Sequence, residues 1–212
     1  MQPSIRLRRE GNQNLPVLVW RFPSPMLAVS SAPLGGGLGP RRWVVNAQVP
    51  PSYARRDPEH HLAKLGRSLG LPGNGVGMLT AADVRRLSTG EESGVVAVAT
   101  CGLAHPTMAA DPSAELQHSA VGTVNLVCIL PARLSPGALV NAVVTATEAK
   151  AQAFAENDIP GTGTATDAVC ILCPQEGVPW SFGGPRSRWG APLALAVHRA
   201  VGAGIRRWRE GR

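Results

Sequence analysis

What this chain lacks narrows it first. It has no apolar run near the ~18 residues that a membrane-spanning helix needs, so no transmembrane segment is expected. The run LPVLVW, which follows Arg6, Arg8 and Arg9, is too short for the apolar core of a secretory signal and leads into charged sequence, so a cytoplasmic location is expected. Aromatics are scarce, with one Tyr, three Phe and five Trp, which leaves no stacking platform for single-stranded nucleic acid. The four cysteines do not form a disulfide or zinc framework. Cys170 and Cys173 have chelating spacing, but residues three apart on a strand point to opposite faces. Cys101 and Cys128 sit in apolar runs, so buried reduced thiols and no metal are expected. There is no GxxxxGK loop and no GxGxxG fingerprint.

The net charge is +7, and its distribution decides its meaning. The arginines stand in separate places, at Arg6 to Arg9, Arg41 and Arg42, Arg55 and Arg56, Arg85 and Arg86, and Arg206 to Arg212. A solvated surface that attracts anionic small molecules fits this pattern better than a nucleic-acid interface.

At 212 residues the chain is one domain, long enough to bury about 70% of its unfolded surface. Residues 1–14 are polar and basic without a period and read as a frayed lead-in, leaving 15–212 as the folded domain. The clearest pattern is strand, helix, strand between Val121 and Cys173. VGTVNLVCIL (Val121 to Leu130) leads into a long helix at about 136–157, with Ser135 as N-cap, Pro136 at its first position and Pro160 past its end. AVCILC (Ala168 to Cys173) follows. At 100° per residue, Leu139, Val140, Val143, Val144, Thr147, Ala151 and Phe154 form the face expected to pack on the sheet. Lys150 falls within that face and Glu148 at its edge.

Upstream, LPVLVWRF and MLAVSSAP read as an edge hairpin split by prolines. Asp57 and Pro58 open a helix ending near Leu71, whose adjacent His60 and His61 cannot share one metal and read as surface residues. Gly94 to Leu103 is a fully apolar, central strand, and His105 to Ser119 a polar loop of a length that often covers a site. Pro192 to Arg209 is the last helix, with His198 at its edge as a structural residue. Together these give a mixed α/β layered domain, a mixed sheet with helices packed on it.

Several segments resemble the adenosylcobinamide amidohydrolases: SAPLGGGL with VVNAQVP and a following Tyr53, GNGVGMLTAA (Gly73 to Ala82), GTVN (Gly122 to Asn125), TATEAKAQA (Thr145 to Ala153) and GTATDAV (Gly163 to Val169). The resemblance runs from about Ala28 to Trp208. It implies hydrolysis of the amide joining the aminopropanol arm to the corrin ring, giving adenosylcobyric acid in corrinoid salvage. Cobalt then enters only within the substrate, with no separate cofactor, and the partner is a small-molecule corrinoid rather than nucleic acid or membrane. One departure lies near the C-terminus, where Ser187 and Arg188 stand at places the family often gives to His and Lys.

The residues these motifs single out are Glu148, Asp167, Lys150 and Thr80 for catalysis, and Asn46, Asn125, Gly35, Gly36, Gly37 and Thr164 for substrate binding. Amide hydrolysis needs an activated nucleophile, a donor to the oxyanion and a proton for the amine. A Glu or Asp base acting on water, an Asn pair as oxyanion donors and Lys150 as acid supply all three. A Thr80 nucleophile assisted by Lys150 or Glu148 is the competing arrangement. Thr80 equally suits a helix cap, and the glycine triplet a plain turn. A non-catalytic corrinoid carrier is the alternative function, in which the same residues only hold the macrocycle and its amide arms.

Overall fold

A computed structural model describes residues 1–112 and 122–211. Ser135 caps the long helix as expected, its Oγ accepting from the Ala138 N–H at 3.2 Å. The helix runs Pro136–Glu156 and joins two parallel strands. In chain order the elements are β1 (Ser4–Glu10), β2 (Gln13–Ser30), β3 (Gly37–Gln48), α1 (Pro58–Ser68), β4 (Gly75–Thr80), β5 (Ser88–Glu92), β6 (Val95–Gly102), β7 (Pro106–Thr107), β8 (Thr123–Ile129), α2 (Pro136–Glu156), β9 (Gly163–Thr164), β10 (Ala168–Cys173) and α3 (Gly190–Glu210). The strand expected from Val121 has its first residue outside the described part, as does much of the expected loop His105 to Ser119.

The main sheet has the order β4-β3-β2-β10-β8-β6-β5, with β1 paired to β2. It is mixed: β3 pairs β4 in parallel and β8 pairs β10 in parallel, while the other ladders are antiparallel. Each parallel pair is joined through a helix, α1 in the first case and α2 in the second, as parallel connections require. β7 and β9 form a separate two-stranded ladder.

Two expectations about the N-terminal part are corrected. The supposed lead-in is β1, which pairs with β2 from Ser4↔Val19 to Glu10↔Gln13 across a tight turn at Gly11, where φ is +56°. Its polar composition hid it, because an outer strand needs no buried face. The supposed edge hairpin is a single strand, β2, interior to the sheet. Its register shifts between Arg21 and Met26, so Pro23 and Pro25 fall where the ladder is already broken. β5 carries no apolar alternation and escapes a pattern search. It is formed by a two-residue hairpin loop, Ser93 and Gly94, at φ +49° and +80°.

Packing divides the core by strand parity. One cluster joins Ala97, Leu126 and Ile171 to α2 and α3 through Leu139, Phe154, Leu193 and Val201. Another joins Val19, Trp43 and Val45 to Leu62 and Leu65 of α1. The third contains no residue of these helices: Val44, Val76 and Met78 from one end of the sheet meet Val96, Val98 and Val127 from the other. The sheet therefore curls, with an inner face packed on itself and the helices outside. Cys170 belongs to the inner cluster and Cys173 to the α2/α3 side, so the two thiols point to opposite faces.

The face of α2 is also corrected. Its buried residues are Ala138, Leu139, Ala142, Thr145, Ala146, Ala149, Lys150, Ala153 and Phe154, while Val140 and Val144 are 58% and 48% exposed. Thr147 is exposed too, its hydroxyl donating back to the Val143 carbonyl at 2.9 Å. Small alanines allow the close approach that this face makes, since a Cβ on Gly183 would lie 2.2 Å from the Ala138 carbonyl oxygen.

Candidate active site

At one end of the curled sheet the inner face turns polar. β3, β4 and β6 finish there while β8 and β10 begin there, as the registers Gln48↔Thr80, Thr100↔Asn125 and Asn125↔Ala168 require. Continuing the alternation past Val44 and Val98 delivers Asn46 and Thr100 to the inner face, and Asn125 meets them from β8. All three are buried.

Their hydrogen bonds run in one direction. Asn125 Nδ2 donates to Asn46 Oδ1 and to the Leu79 carbonyl, both at 2.9 Å, and Asn46 Nδ2 donates to Thr100 Oγ1 at 2.9 Å. Both hydrogens of the Asn125 amide are thus used. Its Oδ1 is left with no partner although buried. A buried unsatisfied acceptor costs on the order of 1–3 kcal/mol, which a ligand N–H can recover. The expected pair of Asn oxyanion donors is therefore revised, because Asn125 presents an acceptor.

Asn125 lines a cavity of about 250 Å³ together with Tyr53, Thr80, Thr123, Thr166 and apolar residues that include Pro33. Thr166 donates to the Gly122 carbonyl at 3.0 Å, so the 2.7 Å contact with Thr123 has Thr123 as donor. Both hydroxyl hydrogens are occupied. Thr80 differs: its Oγ1 accepts from the Ala82 N–H at 3.1 Å, and its hydrogen has no acceptor among the described residues. The cap reading of Thr80 is corrected: no helix begins at Ala81, the next helical turn is Val84–Arg86 with Asp83 as its cap, and the Thr80 hydroxyl closes the turn leaving β4 instead. A second cavity, of about 440 Å³, shares Pro51 and Ala81 with the first and is lined also by Cys101, His105, Arg86 and Arg207.

Asp167 lies just behind this wall. Its Oδ1 accepts from the Val124 N–H at 2.7 Å and from the Thr164 hydroxyl, and its Oδ2 accepts from the Thr164 N–H at 3.1 Å and pairs with Lys150 Nζ. The side chains of Lys150 and Asp167 are only 7% and 12% exposed. This knot ties the turn before β10 to β8 and to α2. Asp167, Lys150 and Thr164 support the wall, and none of them lines the cavity.

Glu148 is not brought to the site. It lies on the exposed flank of α2 with no ion pair or hydrogen bond among the described residues. Glu148→Gln is accordingly expected to leave turnover within about twofold of wild type, as for a solvated surface position. A hundredfold loss in steady-state rate would return Glu148 to the mechanism.

The glycine triplet forms a turn against the start of β4. Gly35 adopts φ +70°, a Cβ there would sit 2.0 Å from the Gly75 carbonyl oxygen, and Arg41 clamps the Gly35 carbonyl at 3.0 Å. None of Gly35, Gly36 and Gly37 lines the cavity. His198 bridges to Glu156 on the surface at 2.7 Å. Ser187 Oγ accepts from the Gly190 N–H at 3.1 Å at the start of α3. All four cysteines are free. Burial pushes the thiols of Cys101 and Cys170 up to about 12, far from the thiolate a nucleophile needs.

Pattern reading misplaced His61. It is 8% exposed, not a surface residue, and Tyr53 Oη lies 2.8 Å from its Nδ1. The signal was present, since His61 stands one turn before Leu65 on the buried stripe of α1.

A family model described as adenosylcobinamide amidohydrolase matches residues 2–212. An adenosylcobinamide amidohydrolase of Methanosarcina mazei is 31% identical over 189 residues, covering 84% of this chain and 89% of that protein. One of Halobacterium salinarum is 36% identical over 117 residues, covering 52% and 50%. Among solved structures, the PH0078 protein from Pyrococcus horikoshii OT3 aligns over 97% of this chain and 83% of its own, at 10% identity and a TM-score of 0.49.

Proposed function

Because the chain belongs to the adenosylcobinamide amidohydrolase family, we propose that it hydrolyses the amide between the aminopropanol arm and the corrin ring of adenosylcobinamide, releasing adenosylcobyric acid for corrinoid salvage. The carrying observation is the unpartnered, buried Oδ1 of Asn125, a residue that lines the cavity of about 250 Å³. A secondary amide offers one N–H and one carbonyl. Asn125 Oδ1 accepts the N–H, and the free hydroxyl hydrogen of Thr80 meets the carbonyl oxygen, where negative charge develops as the carbonyl is attacked. The cavity is smaller than the ~300–1,000 Å³ usual for drug-sized ligands, so it suits the arm, with the macrocycle held outside over the adjoining cavity. Cobalt enters as part of the substrate, and the proposed reaction draws on no further cofactor. No helix among the described residues is long and apolar enough to cross a membrane. The location proposed with this activity is the cytoplasm.

The test is incubation of the full chain with adenosylcobinamide, followed by chromatography and mass spectrometry of the corrinoid. Conversion to the carboxylate with release of aminopropanol is the expected result. Binding with a change in the corrinoid spectrum but no product would replace the hydrolase reading with that of a carrier.

A further inference from the structure

We propose that Tyr53 is a further catalytic residue, a proton carrier for the hydrolytic step, with His61 and Glu10 behind it as a positioning relay. This rests on the hydrolase reading above. A proton must leave the attacking water and another must reach the departing amine. Among the described residues lining the cavity, Tyr53 is the one titratable side chain. Asp167 and Lys150 are engaged with each other, and Glu148 is outside.

The relay is assembled from three separated parts of the chain. Tyr53, in the loop after β3, stands 2.8 Å from His61 Nδ1 on α1, with the two rings stacked at 5.5 Å. His61 Nε2 stands 3.2 Å from Glu10 Oε1, at the end of β1. Glu10 is fixed in turn by Arg8. A carboxylate only accepts, so the imidazole carries its hydrogen on Nε2, leaving Nδ1 bare to accept from the Tyr53 hydroxyl. The Tyr53 oxygen keeps lone pairs to receive a proton. It is a base with a base behind it, oriented by a carboxylate, as in a catalytic triad.

The water oxygen bonds to the amide carbon and the carbonyl π pair moves to its oxygen. The water proton passes to Tyr53 Oη as the Tyr53 proton passes to His61 Nδ1, and Glu10 stabilises the imidazolium. On collapse the C–N bond breaks, His61 returns its proton to Tyr53, and Tyr53 gives one to the amine nitrogen. The acid and the aminopropanol leave, and the relay is restored without an outside reactant.

The charged groups facing His61 are Arg8 and Glu10 from β1, Arg55 and Asp57 from the loop, and Lys64 from α1. Burial, reinforced by the three cations, lowers the His61 pKa from its ordinary value, while Asp57 opposes. The neutral ring is the working form. Activity is therefore expected to hold at neutral pH and to fall only on acidification below about 6.5, the unperturbed histidine value.

In the full-length chain, Tyr53→Phe is expected to lower kcat for adenosylcobinamide by about 10²–10⁴, the usual weight of general acid–base catalysis. KM should stay within about threefold, because the binding contacts remain. Glu10→Gln removes the counter-charge of the imidazolium, so the acid limb of kcat/KM should move further acid as the plateau falls. A merely structural clamp would move stability and leave that limb in place. Should Tyr53→Phe fail to fold, Glu10→Gln decides by the same limb. Wild type that turns over while Tyr53→Phe keeps kcat within threefold, or Glu10→Gln keeps the wild-type limb, overturns the relay and leaves the hydrolase reading standing. Wild type that binds without turnover overturns both.

Discussion

Asp167→Asn is expected to destabilise the fold by about 3–5 kcal/mol, the cost of removing one partner from a buried ion pair. The substitution keeps the volume and reverses the chemistry of one atom. The amide oxygen it introduces can still accept from the Val124 N–H and the Thr164 hydroxyl, but the amide nitrogen would face two donors, Lys150 Nζ and the Thr164 N–H. The ammonium would be left buried without its carboxylate. For a chain of this size the loss corresponds to a fall in Tm on the order of 10 °C. Lys150→Met should cost less, because Asp167 keeps three donors from the backbone and Thr164. Chemical denaturation of the three proteins checks the order. Asp167→Asn unfolding at the wild-type denaturant concentration would show that the knot contributes little.

That knot also shows how far the sequence could be read. Asp167 was visible as a polar residue entering an apolar strand and Lys150 as one within the face of the long helix, and their meeting follows from β8, α2 and β10 forming one parallel unit. Their role was not visible, because it depends on which atoms are already occupied. The same holds for Asn125: its place in the strand was legible, whereas its orientation, with both amide hydrogens spent on Asn46 and Leu79, is set by the curl that brings β3 and β4 over β8.

Glu148 was misplaced for a different reason. Hydropathy weights Val140 and Val144 above alanine, so it turned α2 by part of a turn, whereas packing selected the alanine face that fits closest. The relay at His61 lay beyond reach because its carboxylate comes from β1, a strand whose sequence, SIRLRRE, has no buried face to announce it.

Thr80→Val is expected to lower kcat by about 10²–10³, the usual cost of losing one donor to a developing oxyanion. Valine matches threonine in shape and removes only the hydroxyl. Two functions of that hydroxyl then separate. In the turn after β4 it accepts from the Ala82 N–H at 3.1 Å, and its loss should cost about 1 kcal/mol of stability, read by denaturation. As a donor it has a hydrogen with no acceptor among the described residues, at a buried position lining the cavity with Asn125. That loss should appear in kcat, with KM little changed, because the bond strengthens as charge develops on the oxygen. Thr80→Ser, which keeps the hydroxyl, should recover most of the rate. The same pair tests the competing nucleophile role: a Thr80 that attacks the amide itself would leave an acyl ester on the protein, visible by mass spectrometry after rapid quenching, and Thr80→Val would then lose turnover altogether. Residual turnover in Thr80→Val with no acyl adduct in wild type selects water as the nucleophile, and wild-type kcat in Thr80→Val would remove Thr80 from the site chemistry.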